Sequence, residues 1–181
     1  MAGSPPSLAG QLLVSHPQLR DDNFRETVIL LHAHSVAEGT IGVVLNRPFG
    51  RVLGQMQPDF SETSLADIPL FQGGPVALDR LAFGGWQCSA QGPGEIRYGM
   101  GQEEAMELAK DTRFKLFAFI GYAGWSPGQL ENELRMNAWV VCPFVSEPSE
   151  HEGVELWKKL LELHRPDLRI EADSPDNPGL N

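Results

Sequence analysis

Three short runs near the amino end, 11–15, 26–32 and 40–46, are Leu-rich or β-branched and are closed by turn residues, the pattern of β-strands. Only Ala33 to Gly39 separate the second run from the third. That length suits a hairpin and is too short for a parallel crossover, which needs about a dozen residues, so the pair is predicted antiparallel. Short strands follow near Leu70 and over 81–83. The first helical pattern is 102–110, with Glu103, Glu104 and Glu107 toward its amino end and Lys110 at its carboxyl end, matching the helix dipole.

Residues 113–120 then read as a buried strand. Ser126, Pro127 and Gln129 carry the composition of a capped helix start, and a helix is predicted to Met136, ended by Asn137 in a left-handed conformation. A further apolar strand, 138–142, precedes Pro143. Ser149 and Glu152 repeat the capping pattern ahead of Val154, Trp157, Leu160, Leu161 and His164, which share one helical face that Pro166 stops. Antiparallel strands followed by strand, helix, strand and helix define an α+β fold with a mixed sheet and helices packed against it.

No linker, repeat or low-complexity block divides the chain. A single domain over 9–168 is expected, flanked by a loose amino end over 1–8 and a loose carboxyl tail over 169–181, both rich in Pro, Ser, Gly, Asp or Asn. A domain of this size buries roughly 70% of the surface of its extended chain, and 41% hydrophobic against 21% charged residues suffices for such a core.

Charge narrows the partners. With 24 acidic and 14 basic residues the formal net charge is -10, and Arg20, Arg25, Arg47 and Arg51 lie dispersed among acids, so direct nucleic-acid contact is not expected. The first ten residues lack the basic and apolar regions of a secretory signal, and no apolar run is long enough to span a bilayer, so the expected location is the cytoplasm with no membrane partner. The two cysteines, Cys88 and Cys142, are too far apart for a CxxC redox or zinc motif, and Cys142 reads as a buried hydrophobe.

Two chemical motifs call for a decision. Gly-Trp-Ser-Pro-Gly at 124–128 matches the G-x-S-x-G nucleophile elbow, in which the residue after the serine donates its backbone N–H to the oxyanion. Here that residue is Pro127, which has no N–H, and Gly121 to Trp125 are expected to separate the strand from Ser126. Helix capping is the preferred role for Ser126. His32, His34 and Glu38 have the HxHxxxE spacing of a cupin metal site, and alternation along a strand would place both imidazoles on one face. The second half of a cupin site is missing, so an enzyme with a metal-assisted site near His32 and His34 stands as the alternative, and no metal or other cofactor is assigned. Walker and dinucleotide-binding sequences are likewise absent.

Seven segments taken together resemble the YqgE/AlgH family of bacterial proteins: GQLLVSHP at 10–17, FRETVILL at 24–31, GTIGVVLNRP at 39–48, QGGPV at 72–76, GYAGW at 121–125, GQLE at 128–131 and NAW at 137–139. The resemblance implies a branched, mostly antiparallel sheet curled into a pseudo-barrel with helices outside, and a regulatory label rather than an established reaction. The sequence departs from the family pattern after His34, where the stretch to Gly39 is one residue longer, at Ala33, where a glutamate is common, and at 83–86, where Phe-Gly-Gly-Trp replaces a leucine-histidine pair. Positions that match the family motifs define an expected ligand- or partner-binding surface of Asn46, Arg47, Pro48, Gly73, Gly74, Pro75, Tyr122, Trp125, Gln129 and Glu131. The expected function is a non-catalytic cytoplasmic regulatory or binding domain whose partner is a small molecule or a protein; a DNA-contacting regulator ranks last.

Overall fold

The first two strands do not alternate, because both of their faces are covered. In the computed structural model, which describes residues 6–87, 94–144 and 152–173, β1 (Leu12–Ser15) is buried throughout, and so is the first half of β2 (Val28–Ser35). Leu12, Val14, Val28 and Leu30 point to one side, where Leu156, Trp157, Leu160 and Leu161 of α4 (Gly153–His164) cover them. Leu13, Ile29 and Leu31 point to the other, against Trp125, Trp139 and Leu130 of α3 (Gln129–Arg135). A strand covered on both faces reads as a continuous apolar run.

β2 pairs antiparallel with β3 (Gly39–Val44), as the short connection required. The sheet runs in the order β4-β5-β8-β3-β2-β1-β9, with β4 (Pro48–Val52), β5 (Pro69–Gln72), β8 (Phe114–Trp125) and β9 (Trp139–Cys142). A second arm, β6 (Val76–Gln87) and β7 (Ile96–Met100), joins through β8. Among the described residues only the β5–β8 pairing is parallel. A third cluster, with Leu53 of α1 (Leu53–Met56) and Ala105 of α2 (Gln102–Leu108), packs on Leu116 and Ala118, while Phe117 and Phe119 of the same strand face the first cluster. The result is an α+β half-barrel built on a branched sheet.

The branch is made by glycine. The Gly73 N–H donates to the Ile120 carbonyl (2.7 Å) and its own carbonyl accepts from the Val44 N–H (2.8 Å), so one residue hands β5 from β8 to β3. A Cβ on Gly73 would lie 2.3 Å from the Gly121 oxygen, and one on Gly74 (φ +151°) would lie 2.2 Å from the Tyr122 carbonyl. No side chain fits where backbones approach this closely.

Several elements depart from the sequence expectation. β8 continues through Gly121 to Trp125, so Ser126 follows the strand directly and the separation argument against a nucleophile elbow does not hold; the missing N–H of Pro127 still applies. α3 starts at Gln129 behind a left-handed Gly128, and the Ser126 carbonyl accepts from the Gln129 N–H (3.0 Å). Pro127 and Gly128 thus occupy the central positions of a type II turn, and the helix is not capped by the Ser126 hydroxyl. The other end conforms: Asn137 (φ 56°) follows α3, Ala138 N–H donates to Glu133 O and Asn137 N–H to Leu134 O, a Schellman motif. Pro166 ends α4 yet opens α5 (Pro166–Asp173), which buries Leu168 and pairs Lys158 with Asp173, so ordered helix extends into the stretch expected to be loose. Ser149 and Cys88 lie outside the described residues.

Candidate functional site

The residues expected to form one surface are divided among three places. Asn46 is buried, and its amide is fully engaged: Oδ1 accepts from Val28 N–H (2.8 Å), and Nδ2 donates to the carbonyls of Glu26 (2.8 Å) and Gly153 (3.0 Å). It stitches the start of β2 to the start of α4. Arg47 is half-buried, its guanidinium directed at the Arg25 carbonyl, and burial, reinforced by the Arg25 charge and opposed by Asp21, lowers its pKa. Pro48 opens β4 opposite Phe71. Gly73 and Gly74 form the branch just described, and Pro75 is exposed beside it.

Trp125, Gln129 and Glu131 surround α3. The Glu133 carboxylate gathers this region: Oε2 accepts from the indole N–H of Trp125 (2.9 Å) and of Trp139 (2.7 Å), and Oε1 from the Gln129 amide (2.9 Å). Glu133 had no sequence signal beyond its position on the helix. Trp125 also packs on Phe24 at 6.2 Å and on Trp139 at 6.0 Å, which makes it a core residue.

Glu131 reaches His34, whose Nε2 lies 2.9 Å from Oε1, while His34 Nδ1 accepts the Leu8 backbone N–H at 3.1 Å. A backbone amide can only donate, so the ring proton sits on Nε2 and points at the carboxylate. Ser126 and His34 line one cleft of about 610 Å³, and with Glu131 they have the composition of a nucleophile, base and orienting acid. Both imidazole nitrogens are already committed, which leaves none to take a proton from Ser126.

His32 goes elsewhere. The β2–β3 register shifts between Leu31 and Ala33, so His32 is the extra residue of a β-bulge. One inserted residue reverses the face on which every later side chain emerges. His32 therefore packs edge-on to Tyr98 of β7 (5.7 Å between centroids, 72° between planes), while His34 meets Glu131 on α3. The expected shared face for the two imidazoles is overturned by that bulge. Among the described residues no three His, Cys, Asp or Glu side chains converge as metal ligands would.

The bulge places His32 at a cleft of about 670 Å³ between the β2–β3 hairpin and the β6–β7 arm. Val43 and Phe119 supply apolar lining, Tyr98 and Tyr122 supply rings, and Asp79 and Arg80 stand exposed at the mouth. Tyr122, the single member of the expected surface found here, borders both clefts. The Tyr98 ring lies against Gly84, where a Cβ would come within 3.0 Å of it. The residue as a whole is half-exposed, but its hydroxyl oxygen is withdrawn from solvent, in the cleft as elsewhere, and has no hydrogen-bond partner among the described residues. Burial raises the pKa of this phenol well above its ordinary value, so it remains a neutral donor. Sequence reasoning missed Tyr98, Asp79 and Arg80; the available signal was the alternation of Ile96, Arg97 and Tyr98 ahead of Gly99.

A sequence profile described as AlgH-like matches residues 12–169. A UPF0301 protein of Streptomyces coelicolor is 39% identical over 189 residues, covering 97% of this chain and 96% of that protein. Another, from Pseudomonas putida, is 35% identical over 156 residues and covers 78% and 79%. Among solved structures, the solution structure of the AlgH protein from Pseudomonas aeruginosa aligns with a TM-score of 0.65 at 29% identity, covering 97% of this chain and 98% of that one. A crystal structure of a Corynebacterium diphtheriae protein, at 22% identity and a TM-score of 0.68 over 96% and 95% of the two chains, shares the fold. With nearly the whole length matched and the branched α+β architecture in common, the chain belongs to the AlgH-like family.

Proposed function

We propose that this protein is a non-catalytic, ligand-binding regulatory domain of the cytoplasm, and that its small-molecule site is the cleft bounded by His32, Tyr98 and Tyr122. The observation that carries this reading is the cleft itself, an open cavity of about 670 Å³ in which His32, Tyr98 and Tyr122 border an apolar lining with Val43 and Phe119. Size and composition agree with such a role: about 670 Å³ is within the usual range for small-molecule sites, and the lining is apolar with few polar groups. The exposed imidazole of His32 offers a hydrogen-bonding group that no residue of the described chain engages through its ring nitrogens. A net charge of -10 favours regulation through a bound metabolite over direct contact with DNA.

The test is a fragment screen by ¹H–¹⁵N correlation spectra on the labelled full-length chain. Binders are expected to move the resonances of His32, Gly99 and Gly121 while leaving those of Ala105 and Leu130 in place. If all shifts cluster around α3 or α5, or no fragment moves the cleft residues, the assignment of the site is wrong.

A further inference from the structure

Before it enters β1 the chain lies across the outer end of β2, and its contacts there depend on the state of one imidazole. Ser7 Oγ–H donates to the His34 carbonyl (3.2 Å), Leu8 N–H to His34 Nδ1 (3.1 Å), and Gly10 N–H to the Leu31 carbonyl (2.8 Å). We propose that residues 6–10 form a pH-operated strap, fastened to β2 by neutral His34 and released when that imidazole is protonated.

The fastening works in one protonation state only. The Leu8 amide must donate, so Nδ1 is the bare nitrogen and Nε2 carries the proton that meets Glu131 Oε1 at 2.9 Å. A second proton can go only to Nδ1, where it faces the Leu8 N–H across the same 3.1 Å. A hydrogen bond then becomes two opposed donors. The His34 side chain is 4% exposed, so water cannot take up the new N–H while the strap is in place. At the other nitrogen the same proton turns a hydrogen bond from a neutral ring into a charge-assisted pair with Glu131. The ring therefore stays with α3, and the strap is the partner that leaves.

The strap has nothing else to respond to pH. Residues 6–10, Pro-Ser-Leu-Ala-Gly, carry no ionisable side chain. The charged groups around the ring are Glu131 and Arg135 of α3, with Arg135 Nε donating to the Glu131 carbonyl (3.3 Å), and Glu38 of the β2–β3 turn, which lines one cleft with His34. Glu133 of the same helix is engaged by the Trp125 and Trp139 indoles. At this end β3 and β8 contribute Thr40, Trp125 and Ser126, none of them ionisable.

Release is local. Gly10 (φ +83°) marks the hinge, because from its N–H onward the chain is held to Leu31 by backbone bonds that do not involve His34. The contact opposing release is that of Leu8, half-buried on the cluster of Trp125, Leu130 and Trp139, and two unsatisfied donors outweigh it. The exposed Ser7 hydroxyl exchanges its bond for one to water. The closed state holds one proton fewer at His34 than the open state, so attachment weakens as pH falls.

Amide and ring resonances of the full-length chain, recorded from about pH 8 to about pH 5, test this. The Leu8 amide proton is expected to move upfield at the midpoint at which the His34 ring protons titrate. Its protection against hydrogen exchange, corrected for the intrinsic pH dependence, is expected to fall at least about tenfold, the worth of one net hydrogen bond, while Val14 and Ile29 keep theirs. His34→Asn offers Leu8 an acceptor oxygen that does not titrate and should keep that amide protected at about pH 5. Glu131→Gln removes the charge that holds the imidazolium and should move the release midpoint to lower pH. A Leu8 amide unchanged while His34 titrates, a His34 ring that does not titrate in this range, or the same Leu8 transition in His34→Asn would each overturn the strap, as would Val14 and Ile29 losing protection together with Leu8. Should His34→Asn fail to fold, the Glu131→Gln midpoint decides: one that stays in place or moves to higher pH overturns the proposal.

Discussion

Replacing Tyr98 with phenylalanine should stabilise the ligand-free protein, which is the reverse of the usual effect of a substitution beside a core. In the unfolded chain the hydroxyl is hydrated; in the folded chain it is buried with no partner among the described residues, at a cost of about 1–3 kcal/mol. Phenylalanine removes that cost and keeps the ring on Gly84 and beside His32. The space left by one oxygen, roughly 15 Å³ at about 24 cal/mol per Å³, returns some 0.4 kcal/mol of it. A net gain of about 1–2 kcal/mol is expected, which for a chain of this length is a rise in Tm of roughly 2–8 °C. Urea titration at pH 7 should show a higher midpoint with an unchanged slope. The alkaline limb gives a second signature: because burial raises the folded pKa of this phenol above its ordinary 10.0, the contribution is neutral below pH 10 and stability is lost as pH rises through the folded value. That loss should be smaller in the phenylalanine variant. Destabilisation of the variant by about 1 kcal/mol or more, the scale of one satisfied hydrogen bond, would mean that the hydroxyl is already paired and would refute this reasoning.

Other substitutions probe the frame around the site. Gly74→Ala would force a Cβ to within 2.2 Å of the Tyr122 backbone, at a strand crossing that cannot give way, so a loss of about 4 kcal/mol or more, or failure to fold, is expected in denaturant titration. Glu133→Gln turns one acceptor oxygen into an amide donor facing the Trp125 and Trp139 indoles or Gln129; a cost of about 1–3 kcal/mol with a changed tryptophan emission is expected. Burial pushes the Cys142 thiol from 9.0 up to about 11, so native protein at pH 8 should alkylate with iodoacetamide at Cys142 far more slowly than in urea, and stability should fall as pH rises from 9 through 11.

The elements that were legible in the sequence are those whose pattern is local. The β2–β3 hairpin follows from a seven-residue connection, the end of α3 from Asn137, and α4 from the spacing of Trp157, Leu160 and Leu161. β4 and β7 were not legible, because Pro48, Gly50 and Gly99 interrupt their apolar runs and only pairing with β5 and β6 holds them extended. α5 was hidden for a related reason: Pro166 marks a stop in one helix and a start in the next, and contact of Leu168 with the first cluster decides in favour of the start.

The expected binding surface shows the same division. Asn, Arg, Trp and Gln were chosen as hydrogen-bonding and stacking groups, and in the folded chain Asn46 and Trp125 direct those groups inward, to Val28 and Glu133, while Gln129 spends its amide at the surface on Ser126 and Glu133. By itself, then, the sequence determined family, fold class and the glycines that permit a branched sheet. The cleft was decided only by tertiary structure, because His32 from β2, Arg80 from β6, Tyr98 from β7 and Tyr122 from β8 meet through strand pairings between distant parts of the chain, and because a single bulge in β2 sets which way a histidine faces.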